Sequence, residues 1–458
     1  MTENLTPELT TEYVSATDAN NGEQSSSHHQ DHASSLPNSS DTVTTKPPRL
    51  HQLDGFRFLV AFWLVFAHNF NAAYNEVGTL YERFCYRRYF GVQFFLVLSG
   101  FVSQYAYGQK NFSSTTVVFK FIVGRIGSVL ACHYFTQTVS LILRYSAGHY
   151  RPVEDYWLGI PLSYLLLQTW IPKYAYFGNT PAWTLSTLAA HWVFYPWIQP
   201  RLNRLHDTAI LWGLGLVPLL AMIPALVALW GFGSSSYDNQ YAAGTTSYAL
   251  TDPNIWYALY THPLLRLPDF LFGCLLSERY VRRWRSGALE EASSTSCVAD
   301  GATLLLILLT VAVPYTQRGS IYDTLMIEGP MVLFGVVIYY GSFPPITRSL
   351  TGYLMSLPTS RWLGDFAFQV YLFRYPIFAS LSWYEHGTLQ FGNMYLSWPY
   401  FIVGSILLYG ISYLWFVYVD TPFRKFLTQK IVVSQQPSPT PPHPNQENDK
   451  PSSSSTLV

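Results

Sequence analysis

Apolar runs long enough to cross a bilayer recur along almost the whole of this chain, and that recurrence constrains its fold more than any single motif. Runs of spanning length fall near 56–75, 89–108, 117–143, 183–199, 208–231, 258–278, 300–316, 324–343, 362–383 and 397–419, and a shorter run lies at 156–172. A hydrocarbon core about 30 Å thick takes about twenty helical residues to cross. Inside it every backbone polar group must be bonded within the protein, so helices are the form such runs take. The expectation is an all-α polytopic membrane protein with about ten transmembrane helices plus one re-entrant or interfacial helix at 156–172. Composition agrees. Of 458 residues, 49% are hydrophobic and only 12% charged, and the 34 Tyr, 30 Phe and 14 Trp suit aromatic belts at both interfaces.

Charge and cysteine usage exclude other classes. The formal net charge is zero, which gives no argument for a nucleic-acid partner. Cys85, Cys132, Cys274 and Cys297 show neither metal-ligand spacing nor a disulfide framework, so no metal and no resident cofactor is expected. The first apolar run follows about fifty polar residues, which argues against a cleavable signal peptide and makes that run the targeting signal. Residues 1–50 and 429–458 are polar and poor in large apolar side chains. They read as disordered cytosolic tails flanking a membrane domain at 51–428. His28, His29 and His32 suit a solvated tail better than a metal site.

Lys and Arg set the orientation. Lys110, Lys120 and Arg125 mark one cytosolic loop, Arg201 and Arg204 a second, and Arg279, Arg282, Arg283 and Arg285 a third. Arg348 and Arg361 mark a fourth, and Arg424, Lys425 and Lys430 follow the last run. The long loop at 232–257 has no Lys or Arg, which suits the far side. The pattern obeys the positive-inside tendency if 156–172 does not cross and both termini are cytosolic, in an endomembrane or the plasma membrane. Arg83, Arg87 and Arg88 then lie outside, against the rule.

Within this frame the first run stands out. Leu53-Asp-Gly-Phe-Arg57 leads into an apolar stretch that ends with His68 and Asn69. Arg57 and His68 are eleven residues apart, so on one helix they point nearly the same way, about 16 Å apart along the axis. Ionisable groups in a bilayer are costly and mark functional paths by default. The alternative is a snorkelling Arg and a buried, hydrogen-bonded His. Asp54, Arg57, Arg125 and Asp365 fall near the cytosolic face. Arg266, Asp269, Glu328 and Arg374 fall in the far half, with Gln93 and Ser186 near that entrance; His133 and His191 are also inside runs.

Six segments in order carry a resemblance. They are Leu53-Asp-Gly with the Arg57–His68 spacing, Gly91-Val-Gln-Phe-Phe-Leu-Val-Leu-Ser-Gly-Phe101, Trp183-Thr-Leu-Ser186, and Arg266-Leu-Pro-Asp-Phe-Leu-Phe-Gly273. Leu363-Gly364 with Val370-Tyr-Leu-Phe-Arg-Tyr-Pro376 and Asp420-Thr-Pro-Phe-Arg424 complete the set. Together they resemble the membrane acyltransferase-3 family, whose members acylate sugars, polysaccharides, lipids and other molecules. The resemblance covers residues 53–426. It implies acyl-CoA as co-substrate and acyl transfer, with a short group such as acetyl expected, to a hydroxyl of a carbohydrate or lipid acceptor. Arg57, joined by Arg125, would hold donor phosphates, since guanidinium pairs phosphate bidentately and keeps its charge. His68 would act as general base, because both its protonation states are accessible near neutrality. Ser186 and His191 are further candidates for the chemistry.

The chain departs from the family pattern in ways that bear on function. Leu188 stands where a Glu is usual, Ala190 where a Gln is usual, and Arg374 where a His is usual. Ser128 and Ala131 replace an expected Arg and Pro in the third run. His191, Glu328 or Asp269 are the candidates to supply what Leu188 lacks. Arg266 and Asp269, three apart, fit either a self-neutralising pair or an acceptor site. Arg374 requires a carboxylate or water, with Asp269 or Glu328 expected as its partner. Ser99 and Gly100 read as a close helix contact, Asp54 as a helix cap, and His133 as a satisfied interior His. The competing reading is a transporter or pore-like protein that kept the fold and lost the chemistry, which Leu188 and Arg374 favour.

Overall fold

The computed structural model describes residues 47–69, 80–148, 152–238, 245–250, 252–291, 296–312, 324–345, 348–387 and 396–433. The tail assignments at 1–46 and 434–458, with His28, His29 and His32, lie outside the described residues. In chain order the helices are α1 (Gln52–Asn69), α2 (Leu80–Tyr86), α3 (Tyr89–Tyr107), α4 (Thr115–Ser146), α5 (Val153–Tyr164), α6 (Ala182–Asn203) and α7 (Asp207–Phe232). An antiparallel pair follows, β1 (Gly233–Asp238) and β2 (Thr245–Leu250), with Gly233 opposite Leu250. Then come α8 (Pro253–Thr261), α9 (Leu267–Arg285), α10 (Ala288–Glu291), α11 (Val298–Ala312), α12 (Met331–Tyr340), α13 (Leu350–Ser356), α14 (Pro358–Asp365) and α15 (Ala367–His386). The last are α16 (Trp398–Trp415), a π-helical turn at Phe416–Asp420, and α17 (Thr421–Val433).

Helix is thus the dominant form, as the all-α expectation has it, and one antiparallel hairpin lies inside the loop at 232–257. Among the described residues, three helices are long and apolar enough to cross a membrane by length and composition: Thr115–Ser146, Asp207–Phe232 and Trp398–Gln429, the last running through the π turn. Val298–Ala312 and Met331–Tyr340 are apolar but shorter. The run at 156–172 is helical only as far as Tyr164 and then passes into two short 3-10 turns. Twelve helical residues span about 18 Å, short of a hydrocarbon core. Residues 429–433, assigned from composition to the tail, continue α17.

Three other runs differ from single continuous helices, each for a local reason. The run 258–278 breaks at 262–266. Pro263 disfavours helix at the residue before it, and Pro268 sits in the first turn of α9, where a missing N–H costs nothing. The run 324–343 becomes regular only after Pro330, which leaves Glu328 on an irregular turn. The run 362–383 starts as α15 at Ala367, and the preceding α14 holds Asp365 outside that helix.

Glycines bring backbones together where the motifs repeat them. A Cβ on Gly100 would collide with the Phe270 carbonyl, and one on Gly273 with the Val97 carbonyl, so α3 and α9 cross backbone to backbone. Gly55 meets the Met355 carbonyl and Gly364 meets the Asp54 carbonyl, which seats α1 against α13 and α14. Close approach of this kind is how membrane helices pack when no apolar–aqueous contrast drives them together. The three arginines that broke the charge rule are held by bonds. Arg83 donates to the Val311 and Ala312 carbonyls at the end of α11, Arg87 is buried and donates to Tyr89 Oη at 3.2 Å, and Arg88 donates to the Cys85 carbonyl at 3.1 Å.

Candidate active site

The α1, α3, α4, α6 and α15 helices enclose a cavity of about 1430 Å³. That exceeds the roughly 300–1,000 Å³ common for small-molecule sites. Its lining runs along α3 from Phe95 to Tyr107, which is about 18 Å of helix. One end is cationic. Arg49, Arg57, Arg125, Arg285 and Arg424 line it against three acids, Asp54, Glu278 and Asp365. The other end is apolar, formed by Phe95, Leu96, Leu185 and Leu188, with the hydroxyls of Thr184 and Tyr371 bonded to each other at 3.1 Å.

The two arginines chosen from sequence share this cavity but differ in state. Arg57 bonds Asp54 at 2.5 Å, and Arg49 meets the same carboxylate at 3.2 Å. Asp54 is therefore the counter-ion of this arginine pair, where a helix cap was expected. Arg125 has no carboxylate within 4 Å among the described residues. Its guanidinium lies 4.8 Å from the Tyr107 ring centroid and 5.9 Å from that of Trp192, and it donates to Ser103 Oγ at 3.3 Å. An aromatic cradle holds the cation without cancelling its charge.

His68 is on the same unbroken helix as Arg57 and half-buried, about 16 Å further along, and is not part of the cavity lining. Arg374 meets α1 between them, at Leu64. Tyr371 lines the cavity; Arg374, one turn on, has its guanidinium 5.3 Å from the Tyr371 ring centroid and donates to the Leu64 carbonyl at 2.9 Å. Leu64 is one turn before His68.

Ser186 and His191 are not brought into this constellation. Ser186 is fully buried, donates to the Leu166 carbonyl at 2.7 Å and meets Thr169 Oγ1 at 2.7 Å, so its hydroxyl holds the turn after α5. His191 is fully buried, bonds the Pro263 carbonyl at 2.8 Å and packs 5.2 Å from Phe270. It faces the α8–α9 break, away from the cavity that Leu188 lines. His133 bonds the Ser163 carbonyl at 2.9 Å and ties α4 to α5.

The charges expected in the far half form a cluster separate from the cavity, apart from Arg374. Arg266 is fully buried and pairs with Asp269 at 2.9 Å and Glu328 at 2.5 Å, and donates to the Ile327 carbonyl at 3.1 Å. Gln93 donates from Nε2 to Asp269 at 3.0 Å and to Glu328 at 3.3 Å. This corrects the expected partner of Arg374. Both carboxylates are committed to Arg266, and no carboxylate lies within 4 Å of Arg374 among the described residues. The irregular turn before Pro330 lets Glu328 reach the α9 N-terminus, where Asp269 also sits in the first turn.

Sequence reasoning missed Arg49, Arg285, Tyr107, Trp192, Thr184 and Tyr371 as cavity residues. A signal existed for two of them. Tyr107 and Trp192 are large aromatics inside the helices that carry the family motifs, and buried arginines seek such faces. Asp420 was legible only as part of a motif; it accepts from Trp415 Nε1 at 2.9 Å and from Gln369, tying the π turn to α15.

Comparison with known proteins agrees with the motif order. A family profile described as an acyltransferase domain, of the acyltransferase-3 type, matches residues 50–418. No curated protein and no solved structure matches the chain. The match covers most of the chain, including the helices that build the cavity, so the chain belongs to the acyltransferase-3 family, whose activity in general is acyl transfer.

Proposed function

We propose that this chain is an integral-membrane O-acyltransferase that moves an acyl group from acyl-CoA to a hydroxyl of a carbohydrate or lipid acceptor. The observation that carries this reading is the cavity, cationic at the end where Arg57 and Arg125 stand and apolar at the other. Acyl-CoA has that polarity, with phosphates at one end and a thioester and acyl chain at the other. Arg125, whose charge no carboxylate among the described residues cancels, is the principal phosphate ligand, and Arg57 assists it. His68 takes the proton of the acceptor hydroxyl as that oxygen attacks the thioester carbonyl.

The reading includes a topology. The chain crosses ten times, both termini are cytosolic, and 156–172 does not cross; the Lys/Arg distribution supports it, as does a donor that arrives from the cytosol. Single cysteines replacing Gln240 and Glu290 in a cysteine-free background test this, and labelling of both from the same side would refute it. The reading needs no resident cofactor and no nucleic acid; its partners are acyl-CoA, the acceptor and membrane lipids, in an endomembrane or the plasma membrane.

A transporter is the second reading, favoured by the apolar Leu188 in the cavity wall. Purified protein in lipid, incubated with radiolabelled acetyl-CoA and candidate hydroxyl acceptors, decides between them. Labelled acceptor is the expected result. Solute flux without acyl transfer would establish the transporter instead.

A further inference from the structure

Arg374 is a buried cation in an unusual position. It is 6% exposed, and no carboxylate lies within 4 Å of it among the described residues. The far-half acids that could neutralise it, Asp269 and Glu328, are held by Arg266. It donates to a neutral acceptor, the Leu64 carbonyl at 2.9 Å, and lies 5.3 Å from the Tyr371 ring centroid, with Arg88 and Tyr260 also near enough to interact electrostatically. A guanidinium carries five N–H donors in a rigid fork, so one carbonyl leaves most of its capacity for something else.

Its place is as informative as its pairing. Tyr371 is in the wall of the cavity, and Leu64 is one turn before His68 on α1. Helical side chains tilt toward the N-terminus, so the His68 imidazole leans back over the Leu64 turn. Arg374 therefore links the cavity wall, through Tyr371, to the turn of α1 that precedes His68. A permanent cation, buried and with no carboxylate within 4 Å among the described residues, is poised for negative charge that exists only during reaction.

We propose that Arg374 is a catalytic residue that binds the thioester carbonyl oxygen and stabilises the oxyanion formed on it. This rests on the acyltransferase reading above. The acceptor O–H gives its proton to His68 and its oxygen bonds to the carbonyl carbon. The C=O π pair moves onto oxygen, where the Arg374 N–H groups hold it. The pair then returns, the C–S bond breaks, and the CoA thiolate leaves and takes the proton from His68. Atoms and charge balance, and Arg374 neither gives nor takes a proton.

The test uses full-length protein in lipid nanodiscs, with acetyl-CoA as donor, octyl glucoside as hydroxyl probe and release of free CoA thiol as readout. Arg374→Ala should lower kcat by about 10²–10³-fold while the KM for acetyl-CoA changes less than about threefold. Free guanidinium should restore at least about tenfold of the lost rate in Arg374→Ala and nothing in His68→Ala. Arg374→Lys should keep part of the rate, since it retains charge without the fork. Thermal unfolding of each variant is measured alongside. A kcat for Arg374→Ala within about threefold of wild type overturns the proposal, as does a loss that falls on KM. Failure of guanidinium to restore rate, with Arg374→Lys as unstable as Arg374→Ala, assigns the residue a structural role and also overturns it. In all these cases the acyltransferase reading stands. Wild-type protein that cleaves no thioester and binds no CoA overturns both.

Discussion

Arg266 and Glu328 form an ion pair of 2.5 Å that is fully withdrawn from solvent and joins the start of α9 to the irregular turn before α12. Asp269 shares the same guanidinium, so one cation serves two carboxylates. The asymmetry predicts the response to mutation. Arg266→Met strands both acids and should destabilise the protein by about 3–5 kcal/mol. Glu328→Gln leaves a one-to-one pair with Asp269 and should cost less than about 1.5 kcal/mol. Thermal unfolding in detergent reads both, and equal losses would show that the cluster is not balanced in this way.

Donor affinity should follow the electrostatic state of each arginine. Arg125 is cradled by Tyr107 and Trp192, whereas Arg57 is neutralised by Asp54. Arg125→Ala is expected to weaken acyl-CoA binding about tenfold or more, and Arg57→Ala by less. His68→Ala should leave binding nearly unchanged and reduce turnover by about 10²–10⁴-fold. Calorimetric titration with CoA, paired with single-turnover rates, separates these. Full turnover in His68→Ala would remove the imidazole from the chemistry.

Asp365 gives a pH signature. It precedes α15, outside that helix, and burial, then the neighbouring charge of Asp54, push its carboxyl from 3.8 up to about 6, against the pull of Arg49, Arg57 and Arg361. A carboxylate with a folded value above its free one opposes folding when ionised. That opposition is absent below about pH 4 and complete above about pH 6. Asp365→Asn should therefore raise the unfolding temperature at pH 7.5 and leave it unchanged at pH 4. An increase of the same size at both values would mean that the gain has another origin.

The α3–α9 crossing should tolerate no side chain. Gly100→Val or Gly273→Val forces a methyl-bearing carbon into a backbone carbonyl, which neither helix can relieve by a rotamer change. Both variants are expected to lose folded yield by size-exclusion chromatography. Gly215→Ala, which meets nothing within 4 Å, should not.

Much of this fold was legible because apolar runs and turn residues are local signals. The α3, α4, α6 and α7 boundaries fall within a few residues of the runs that announced them. What periodicity could not show were breaks set by proline inside apolar sequence, at 262–266 and before Pro330, since hydropathy does not distinguish one long helix from two short ones. Those breaks decided the far-half charges. They brought Glu328 to Arg266 and left Arg374 without the carboxylate expected for it. Arg57 and Arg125 could be singled out because cations in apolar sequence are rare, and both line the one cavity. Tyr371 was not, because an aromatic among 34 tyrosines carries no mark of its neighbours.

The backbone contact between Gly100 and Phe270 has a mechanical meaning. Two helices locked carbonyl against glycine cannot slide along each other, so α3 and α9 act as a single strut through the bundle. That strut carries Gln93 in the Arg266 cluster near one end and the cavity-lining Tyr107 at the other. On the acyltransferase reading proposed above, a motion that admits an acceptor to His68 or a donor to Arg125 turns α1, α4 and α15 about this fixed frame. The hinge to watch is the junction at Phe366, where α14 ends and α15 begins.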